Sequence, residues 1–219
     1  MQTQTIRLSL PSKGRLQDMA LSFLAQAGLP VFKPNPRQYQ AEIPALPELG
    51  VLFQRPGDIV VSVRQGSVNF GITGLDVIEE KRGDNGDILV LHDALGFGHC
   101  ALTLAVPETW DQAADLPALK AWSASMGRPL RVATKFPVLT ERFLNVEGIP
   151  HTLIAAEGTL ETAPTIGYAD VISDLVSSGQ TLKDNRLRAL PDGVIQPSQA
   201  ALIANRKALE TNPAALEMA

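Results

Sequence analysis

The sequence has little of several residue types, and each scarcity excludes a kind of protein. A single cysteine, Cys100, among 219 residues excludes an intrachain disulfide and a cysteine-rich metal site. The three histidines lack the spacing of zinc ligands, so we expect no zinc centre. No apolar run reaches the length of about 20 residues that a membrane-spanning helix needs, and residues 1–10 do not resemble a signal peptide. These absences predict a cytoplasmic protein without a membrane partner.

An excess of positive charge is also missing. The chain has 19 Lys and Arg residues against 23 Asp and Glu residues, for a net charge of −4. General nucleic-acid binders are usually basic, so we expect no nucleic-acid partner. With 45% hydrophobic and 19% charged residues, the composition indicates a packed core rather than disorder. Any anion site must therefore be local, made from a few placed cations and backbone N–H groups.

Apolar, strand-like runs alternate along the chain with segments whose apolar residues recur every three or four positions. We predict strands at residues 6–10, 51–54, 68–73, 88–91, 100–106, 130–134, 152–155, 170–175, 194–195 and 201–203. We predict helices at residues 16–27, 58–65, 76–81, 109–125 with an interruption near Pro117, 138–146, 159–166 and 207–209. The alternation predicts an α/β fold with largely parallel strands, in which ligands bind at the carboxyl ends of strands.

Two basic loops follow predicted strands. Lys13 and Arg15 flank a glycine at the start of a helix, where cations oppose the helix dipole, and this placement suggests that they bind an anion. A solvated basic turn is the alternative. Arg55 has a planar guanidinium suited to bidentate phosphate binding. An ion pair between Arg55 and Asp58 explains this arginine equally well.

Two further loops carry single candidates. In residues 71–76, Gly71 and Gly74 allow a ligand to approach the backbone closely. Asp76 either caps the next helix or contacts a ligand, and from this segment alone capping is favoured. Lys135 follows the strand predicted at 130–134, and it either contacts a ligand or lies on the surface.

The most informative loop follows the strand predicted at 170–175. That strand carries Asp170 and Asp174, and small or hydroxyl-bearing residues come after it: Ser177, Ser178, Gly179, Gln180 and Thr181. Exposed N–H groups in such a loop, together with the start of a helix, favour a phosphate. Because phosphate repels carboxylates, we expect the two acids to bind ribose hydroxyls, orient Mg²⁺ or stabilise a cationic sugar. An ordinary Ser/Gly turn is the alternative.

Seven segments, taken in order, carry a resemblance to one family. They are Pro-Ser-Lys-Gly-Arg-Leu at 11–16, Arg-Pro-x-Asp-Ile at 55–59, Gly-Ile-Thr-Gly-x-Asp at 71–76, Leu-Gly-Phe-Gly at 95–98, Ala-Thr-Lys-Phe-Pro at 133–137, Ala-Pro-x-x-Gly-x-Ala-Asp at 163–170 and Asp-Leu-Val-Ser-Ser-Gly-x-Thr-Leu at 174–182. The set spans residues 6–203 and resembles the catalytic subunit of ATP phosphoribosyltransferase in its short form.

This resemblance implies an activity and a set of site residues. ATP and phosphoribosyl pyrophosphate, with Mg²⁺ carried by the substrates, would give N1-(5-phosphoribosyl)-ATP and pyrophosphate, the first step of histidine biosynthesis. Phosphoribosyl pyrophosphate would bind at Asp170, Asp174, Ser177, Ser178, Gly179, Gln180 and Thr181. ATP and pyrophosphate would bind at Lys13, Arg15, Arg55 and Asp76, with Arg15 and Arg55 as the catalytic groups. No Mg²⁺ ligand is assigned.

The resemblance also implies an organisation into two lobes similar to type II periplasmic binding proteins, with the active site in the cleft between them. The first lobe would contain residues 1–94 and 186–219 on the ATP and pyrophosphate side, and the second residues 95–185 on the phosphoribosyl side. The family's long form continues beyond a catalytic part of this length. We therefore expect no C-terminal regulatory domain here, but a homodimer within a hetero-oligomer containing a regulatory subunit similar to histidyl-tRNA synthetase.

Two other functions stay open at this point. One is a non-enzymatic binding protein of the same two-lobed fold, although the paired acids of the predicted cradle have no purpose in such a receptor. The other is a different phosphoribosyltransferase, which the loop at 174–182 would serve equally well.

Overall fold

The computed structural model describes residues 6–35, 37–156 and 158–219. The strands are β1 (Ile6–Pro11), β2 (Gln40–Glu42), β3 (Leu49–Gln54), β4 (Phe70–Gly74), β5 (Ile88–His92), β6 (Cys100–Pro107), β7 (Leu130–Thr134), β8 (His151–Ala155), β9 (Val171–Val176), β10 (Leu187–Ser198) and β11 (Ala200–Asn205). The helices are α1 (Arg15–Gln26), α2 (Pro56–Arg64), α3 (Leu75–Lys81), α4 (Leu116–Ser125), α5 (Pro137–Glu147), α6 (Gln180–Asp184), α7 (Arg206–Thr211) and α8 (Pro213–Met218). The predicted α/β class is confirmed.

The chain divides into two compact units. Unit 1 holds the described residues up to His99 together with Gln199–Ala219, and unit 2 holds Cys100–Ser198. The predicted assignment of residues 186–198 to the first lobe is wrong, because β10 pairs antiparallel with β6 along its length. The other boundary lies after residue 99 rather than 94. Residues 1–5 of the predicted first lobe lie outside the described residues.

Unit 1 is a six-stranded sheet with helices on both faces. The strand order is β2-β3-β1-β4-β11-β5, in which β3, β1 and β4 are parallel and β11 is antiparallel to both of its neighbours. Alternate residues of β3 are buried on one face, and the residues between them, on the other face, are partly buried. One face packs against α1, α7 and α8, whereas α2 and α3 cover the other.

Unit 2 is a five-stranded sheet in the order β10-β6-β9-β7-β8. The neighbours β9, β7 and β8 are parallel, and β6 is antiparallel to both β9 and β10. Helices α4 and α5 pack on one face through Leu119 and Leu144. The other face packs against α6 and a run of turns that contains Leu160 and Ala163.

Two predicted helices of unit 2 differ from the structure because of their prolines. The segment predicted as a helix from residue 109 becomes helical only at Leu116, where the Asp115 side chain accepts a hydrogen bond from the Ala118 N–H. Pro117 lies in the first turn of α4, which tolerates its missing N–H, so it marks a helix start rather than an interruption. The helix predicted at 159–166 is wrong: the segment forms turns around Pro164.

Within the part of the chain that the structure describes, no helix is both long enough and apolar enough to cross a membrane.

Candidate functional site

Three of the predicted loops lie at one edge of the unit 1 sheet. The parallel strands β1, β3 and β4 end at Pro11, Gln54 and Gly74, and the carboxyl ends of parallel neighbours share an edge. A backbone hydrogen bond of 2.8 Å from the Ser12 N–H to the Gln54 carbonyl ties the first loop to the second. The fold therefore gathers these loops as the sequence pattern predicts.

The cations of these loops are unneutralised. Lys13, Arg15 and Arg55 are all exposed. Across residues 6–35, 37–156 and 158–219, none of the three forms an ion pair. The alternative ion pair between Arg55 and Asp58 is therefore not formed. Two of the cations lie at helix starts, since Arg15 opens α1 and Arg55 immediately precedes α2, so this edge is suited to a polyanion.

Asp76 differs from the cations because it is buried. It lies in the first turn of α3, where the helix dipole favours a carboxylate, and it is only 3% exposed. Its Oδ1 lies so close to Gly74 that a Cβ on that glycine would overlap with it. Asp76 also interacts with another group of the chain. These contacts support a structural role in the loop, and the predicted contact with a nucleotide stays a prediction.

In unit 2 the loop of residues 177–181, which we call the cradle, follows β9. The parallel strands β7 and β8 end at the same edge of the sheet. Gly179 precedes α6 with a φ of 75°, a left-handed conformation that favours glycine. Among the described residues, the exposed hydroxyls of Ser177 and Thr181 have no hydrogen-bond partner, whereas Ser178 Oγ accepts a bond of 3.3 Å from the Gln180 N–H. The cradle thus offers free hydroxyl donors.

Gln180 has hydrogen-bond partners within the chain. Its side-chain Nε2 donates to Asp184 Oδ1 over 2.6 Å, along the length of α6. Its backbone N–H is the group that donates to Ser178 Oγ. One N–H of the amide and the backbone N–H are therefore engaged within the chain, and the predicted contact of Gln180 with substrate stays a prediction.

Asp174 lies near the carboxyl end of β9 and is partly buried. Thr134 of β7 is paired with Ser173 of β9, so Lys135 and Asp174 follow adjacent positions on neighbouring strands. Burial raises the pKa of the Asp174 carboxyl. The Leu175 N–H and the charge of Lys135 lower this pKa, whereas the charge of Glu161 raises it. Lys135 is therefore near enough to Asp174 to act on its charge. The sequence pattern had left open whether Lys135 contacts a ligand or lies on the surface.

A chain of three buried hydroxyls supports that pair. Thr140 of α5 lies between the other two, with its Oγ1 at 3.2 Å from Thr134 Oγ1 and 2.9 Å from Ser173 Oγ. The Phe136 N–H also donates to Thr134 Oγ1 over 2.9 Å. The chain links β7, α5 and β9 at the residues that immediately precede Lys135 and Asp174. Sequence reasoning missed it because buried Ser and Thr residues on strands and helices resemble ordinary core positions.

Asp170 does not belong to this edge, so its predicted contact with substrate is wrong. It precedes the first residue of β9, whereas the cradle follows the last, and the six residues of β9 span about 20 Å. Its carboxylate is 6% exposed and accepts hydrogen bonds from the guanidinium groups of Arg128 and Arg131. Burial raises the pKa of Asp170, but these bonds outweigh it and hold the pKa well below its usual range. Asp170 is a structural anchor.

Two other features of the described residues set limits on the site. No group of three or more His, Cys, Asp or Glu side chains in that part of the chain is placed to hold a metal ion. A cavity of about 420 Å³ lies along β2 and β3, with Arg7, Gln40 and Glu42 in its lining. None of the predicted site residues lines this cavity.

Comparison with known proteins identifies a family for most of the chain. The family model described as ATP phosphoribosyltransferase matches residues 55–219. ATP phosphoribosyltransferase 2, chloroplastic, from Arabidopsis thaliana is 46% identical over 98% of this chain and 53% of its own length. ATP phosphoribosyltransferase from Mesorhizobium japonicum is 40% identical over 93% of this chain and 90% of its own length. The chain thus spans about half the length of the plant relative.

Solved structures support the fold. The ATP phosphoribosyl transferase (HisG:HisZ) complex from Thermotoga maritima contains a chain with a TM-score of 0.74, at 23% identity over 97% of this chain and 94% of that one. The alkanesulfonate-binding protein SsuA from Xanthomonas axonopodis, bound to MOPS, has a TM-score of 0.56 at 14% identity, over 97% of this chain and 69% of that one. The predicted similarity to two-lobed binding proteins is confirmed.

Proposed function

Because the chain belongs to the ATP phosphoribosyltransferase family, we propose that it condenses ATP with phosphoribosyl pyrophosphate. The products are N1-(5-phosphoribosyl)-ATP and pyrophosphate, the first step of histidine biosynthesis. Beyond family membership, one observation carries this proposal. Unit 2 places the cradle and Asp174 at the same edge of its sheet, which is an arrangement suited to a sugar that carries a phosphate.

The cradle binds the 5-phosphate of phosphoribosyl pyrophosphate in this proposal. Its free hydroxyls, on Ser177 and Thr181, donate hydrogen bonds to phosphate oxygens, and Gly179 allows the backbone to approach them. Asp174 repels a phosphate but accepts hydrogen bonds from ribose hydroxyls. Its carboxylate also stabilises the positive charge that develops on the sugar as the bond to pyrophosphate breaks.

Lys13, Arg15 and Arg55 of unit 1 bind pyrophosphate and the ATP phosphates. The reaction forms a bond between N1 of ATP and C1 of the ribose while the bond from C1 to the pyrophosphate oxygen breaks, and the electron pair leaves with pyrophosphate. N1 is a neutral nucleophile, so no side-chain base is needed to generate it. Negative charge accumulates on the leaving pyrophosphate, so positive charge is required there. Arg15 and Arg55 supply that positive charge.

Mg²⁺ reaches the site with the substrates in this proposal. Phosphate-bound Mg²⁺ keeps most of its ligands as water and phosphate oxygen and needs only one or two carboxylates from a protein. Asp174 is a partly buried carboxylate at the cradle edge, so the described residues fit such a requirement. The ion would neutralise charge on the pyrophosphate, while the chain's own residues hold and orient the sugar.

Partners and location are part of the same proposal. The Thermotoga maritima neighbour is named as a complex of two proteins, and we infer that this chain also pairs with a regulatory subunit, as a homodimer within a hetero-oligomer. The name of the Arabidopsis relative places that protein in chloroplasts, so the cytoplasmic location rests on the sequence alone.

The deciding experiment is an assay of the purified chain with ATP, phosphoribosyl pyrophosphate and MgCl₂, with and without a candidate regulatory subunit. We expect a product whose mass and absorbance match N1-(5-phosphoribosyl)-ATP, with one pyrophosphate released per product. Absence of product under both conditions would overturn the proposal. Transfer to adenine or another base instead of ATP would identify a different phosphoribosyltransferase, and ligand binding without turnover would identify a binding protein.

A further inference from the structure

Gln54 lies at the centre of the hydrogen bonds that join the basic loops of unit 1. It is the last residue of β3 and directly precedes Arg55. Its side-chain Oε1 accepts a bond of 2.7 Å from Ser9 Oγ of β1, and its Nε2 donates a bond of 2.9 Å to Ser62 Oγ of α2. Its backbone carbonyl accepts the 2.8 Å bond from the Ser12 N–H. One residue therefore connects two strands, a helix and a loop.

These bonds lie below the exposed cations rather than among them. Ser9 is fully buried, and Gln54 and Ser62 are half-buried, so water competes little for their polar groups. The amide side chain is the partner for hydroxyls on both sides of it. Loss of the amide would leave the buried Ser9 hydroxyl without its acceptor, and α2 would lose its side-chain tie to β1.

The connections of Gln54 determine where the two catalytic cations lie. The side-chain bond to Ser62 holds α2, whose first residue follows Arg55, and the side-chain bond from Ser9 holds β1, the strand that leads into the loop of Arg15. Cations repel each other, and an exposed arginine samples many rotamers, so two of them bind one polyphosphate well only if their backbones are fixed in advance. The side chain of Gln54 ties the strand that leads to Arg15 to the helix that follows Arg55.

We propose that Gln54 is a positioning residue that sets the distance between the loop of residues 12–15 and Arg55, and thereby aligns Arg15 and Arg55 on one pyrophosphate group. This inference rests on the proposed function for its kinetic effect, but the binding of pyrophosphate tests it independently. The groups that touch the ligand are the cations. Gln54 acts through them.

The test compares Gln54→Met, which keeps the side-chain length but removes both amide hydrogen bonds, with Gln26→Met. Gln26 also donates to a serine, over 3.2 Å to Ser22 Oγ, but on the exposed face of α1, so the control removes the same kind of bond at another position. For Gln54→Met we expect kcat to fall about 10- to 100-fold, as small misplacements of binding groups do, and pyrophosphate to bind about tenfold more weakly by calorimetry. Gln26→Met should match the wild type in both measurements.

Ser62 variants separate positioning from folding. Ser62→Ala removes one of the two hydrogen bonds of the Gln54 side chain, whereas Ser62→Thr keeps the hydroxyl. We expect Ser62→Ala to lower kcat and Ser62→Thr to keep kcat within about twofold of the wild type. In the double variant, Ser62→Ala should add little to the effect of Gln54→Met, because both substitutions act on one hydrogen-bond network. All assays are run well below each variant's melting temperature, so that the folded fraction is equal.

The outcomes are distinguishable from failure of the proposed function. If the wild type makes no product, the proposed reaction fails, and calorimetry with inorganic pyrophosphate still decides the role of Gln54. If Gln54→Met has a lower melting temperature but binds pyrophosphate like the wild type, the residue is only structural and the inference is overturned. Equal losses for Gln54→Met and Gln26→Met would overturn it as well.

Discussion

Asp174 and Lys135 follow paired residues on the neighbouring parallel strands β9 and β7, and the charge of the lysine offsets part of the penalty for burying the carboxylate. Lys135 does not offset this penalty fully, because burial still leaves the pKa of Asp174 above its usual value. A group held in an unfavourable charge state at a proposed binding edge is an expected feature of an active site, where function is retained at a cost in stability.

Asp174→Asn should therefore separate stability from activity. A carboxyl whose pKa is raised by folding destabilises the native state above its unfolded pKa, so removing the charge should leave the melting temperature at pH 7 equal or higher. The same change should lower kcat about 100-fold, because the developing charge on the sugar loses its stabilising anion. Thermal unfolding and product formation are measured in parallel, with the exposed Asp111→Asn as control. A less stable Asp174→Asn variant with normal turnover would contradict this account.

Arg55→Ala should lower activity far more than stability, which is the opposite of what a substitution in the core does. Arg55 is exposed and has no ion-pair partner among the described residues, so we expect the free energy of unfolding to change by no more than about 0.5 kcal/mol. The loss of a fixed charge at the leaving group should lower kcat about 100- to 1000-fold. Arg142→Ala, which removes an exposed arginine of α5, is the matched control. A large fall in melting temperature with normal turnover would instead show that Arg55 is structural.

Asp170→Asn should change the acid stability of the protein. The pKa of Asp170 is held below its unfolded value of about 3.9, so its contribution is complete above that pH and is lost as the pH falls below it. At pH 7 we expect the variant to lose about 1–3 kcal/mol, less than for a fully buried ion pair because Arg128 and Arg131 are partly exposed. The difference from the wild type should shrink below about pH 4.

Urea unfolding between pH 7 and pH 3 measures this difference. Trp110 and Trp122 are in contact, with ring centroids 4.1 Å apart, and their fluorescence reports on unit 2, where Asp170 lies. Asp111→Asn serves again as the control for loss of a surface carboxylate. A stability difference that stays constant down to pH 3 would rule out the ion pairs as its source.

Gly179→Ala should weaken the binding of phosphoribosyl pyrophosphate, whereas a matched glycine substitution outside the cradle should change stability alone. Both Gly179 and Gly127 have a left-handed φ, 75° and 67°, and neither has a close neighbour that an added methyl group would strike. Each substitution to alanine should therefore cost about 1 kcal/mol of backbone strain. Only Gly179 lies in the cradle, so only its variant should raise the KM for phosphoribosyl pyrophosphate. Equal KM values for the two variants would show that the cradle does not bind phosphoribosyl pyrophosphate.

The sequence predicted the loops better than the elements that support them. Lys13, Arg15, Arg55 and the cradle lie at strand ends because an α/β alternation determines where such loops occur. The prediction for Asp170 failed although the pattern put it at the start of the strand predicted at 170–175, because the length of that strand separates it from the cradle. The arginines that hold it lie on β7, in the case of Arg131, and just before it, in the case of Arg128, so their approach depends on tertiary pairing.

Other departures have equally local causes. The pattern of Val194 and Ile195 predicted a short strand, but β10 extends from Leu187 because its partner β6 offers pairing along that length. Gln54 and the Thr140 hydroxyl chain carry no periodic or charged signal, because their role depends on groups that are distant in sequence. Such supporting residues become visible only when the hydrogen bonds are known.

The division of unit 1 along the chain has a consequence for its synthesis. Strand β11 lies inside the unit 1 sheet, between β4 and β5, yet it is made after the whole of unit 2. As the chain leaves the ribosome, the segments of unit 2 emerge in full before the last strand of unit 1 does. Until residue 205 emerges, β4 and β5 each lack a neighbour and have an edge open to unwanted pairing. The nascent chain is therefore open to unwanted pairing at β4 and β5 until β11 is made.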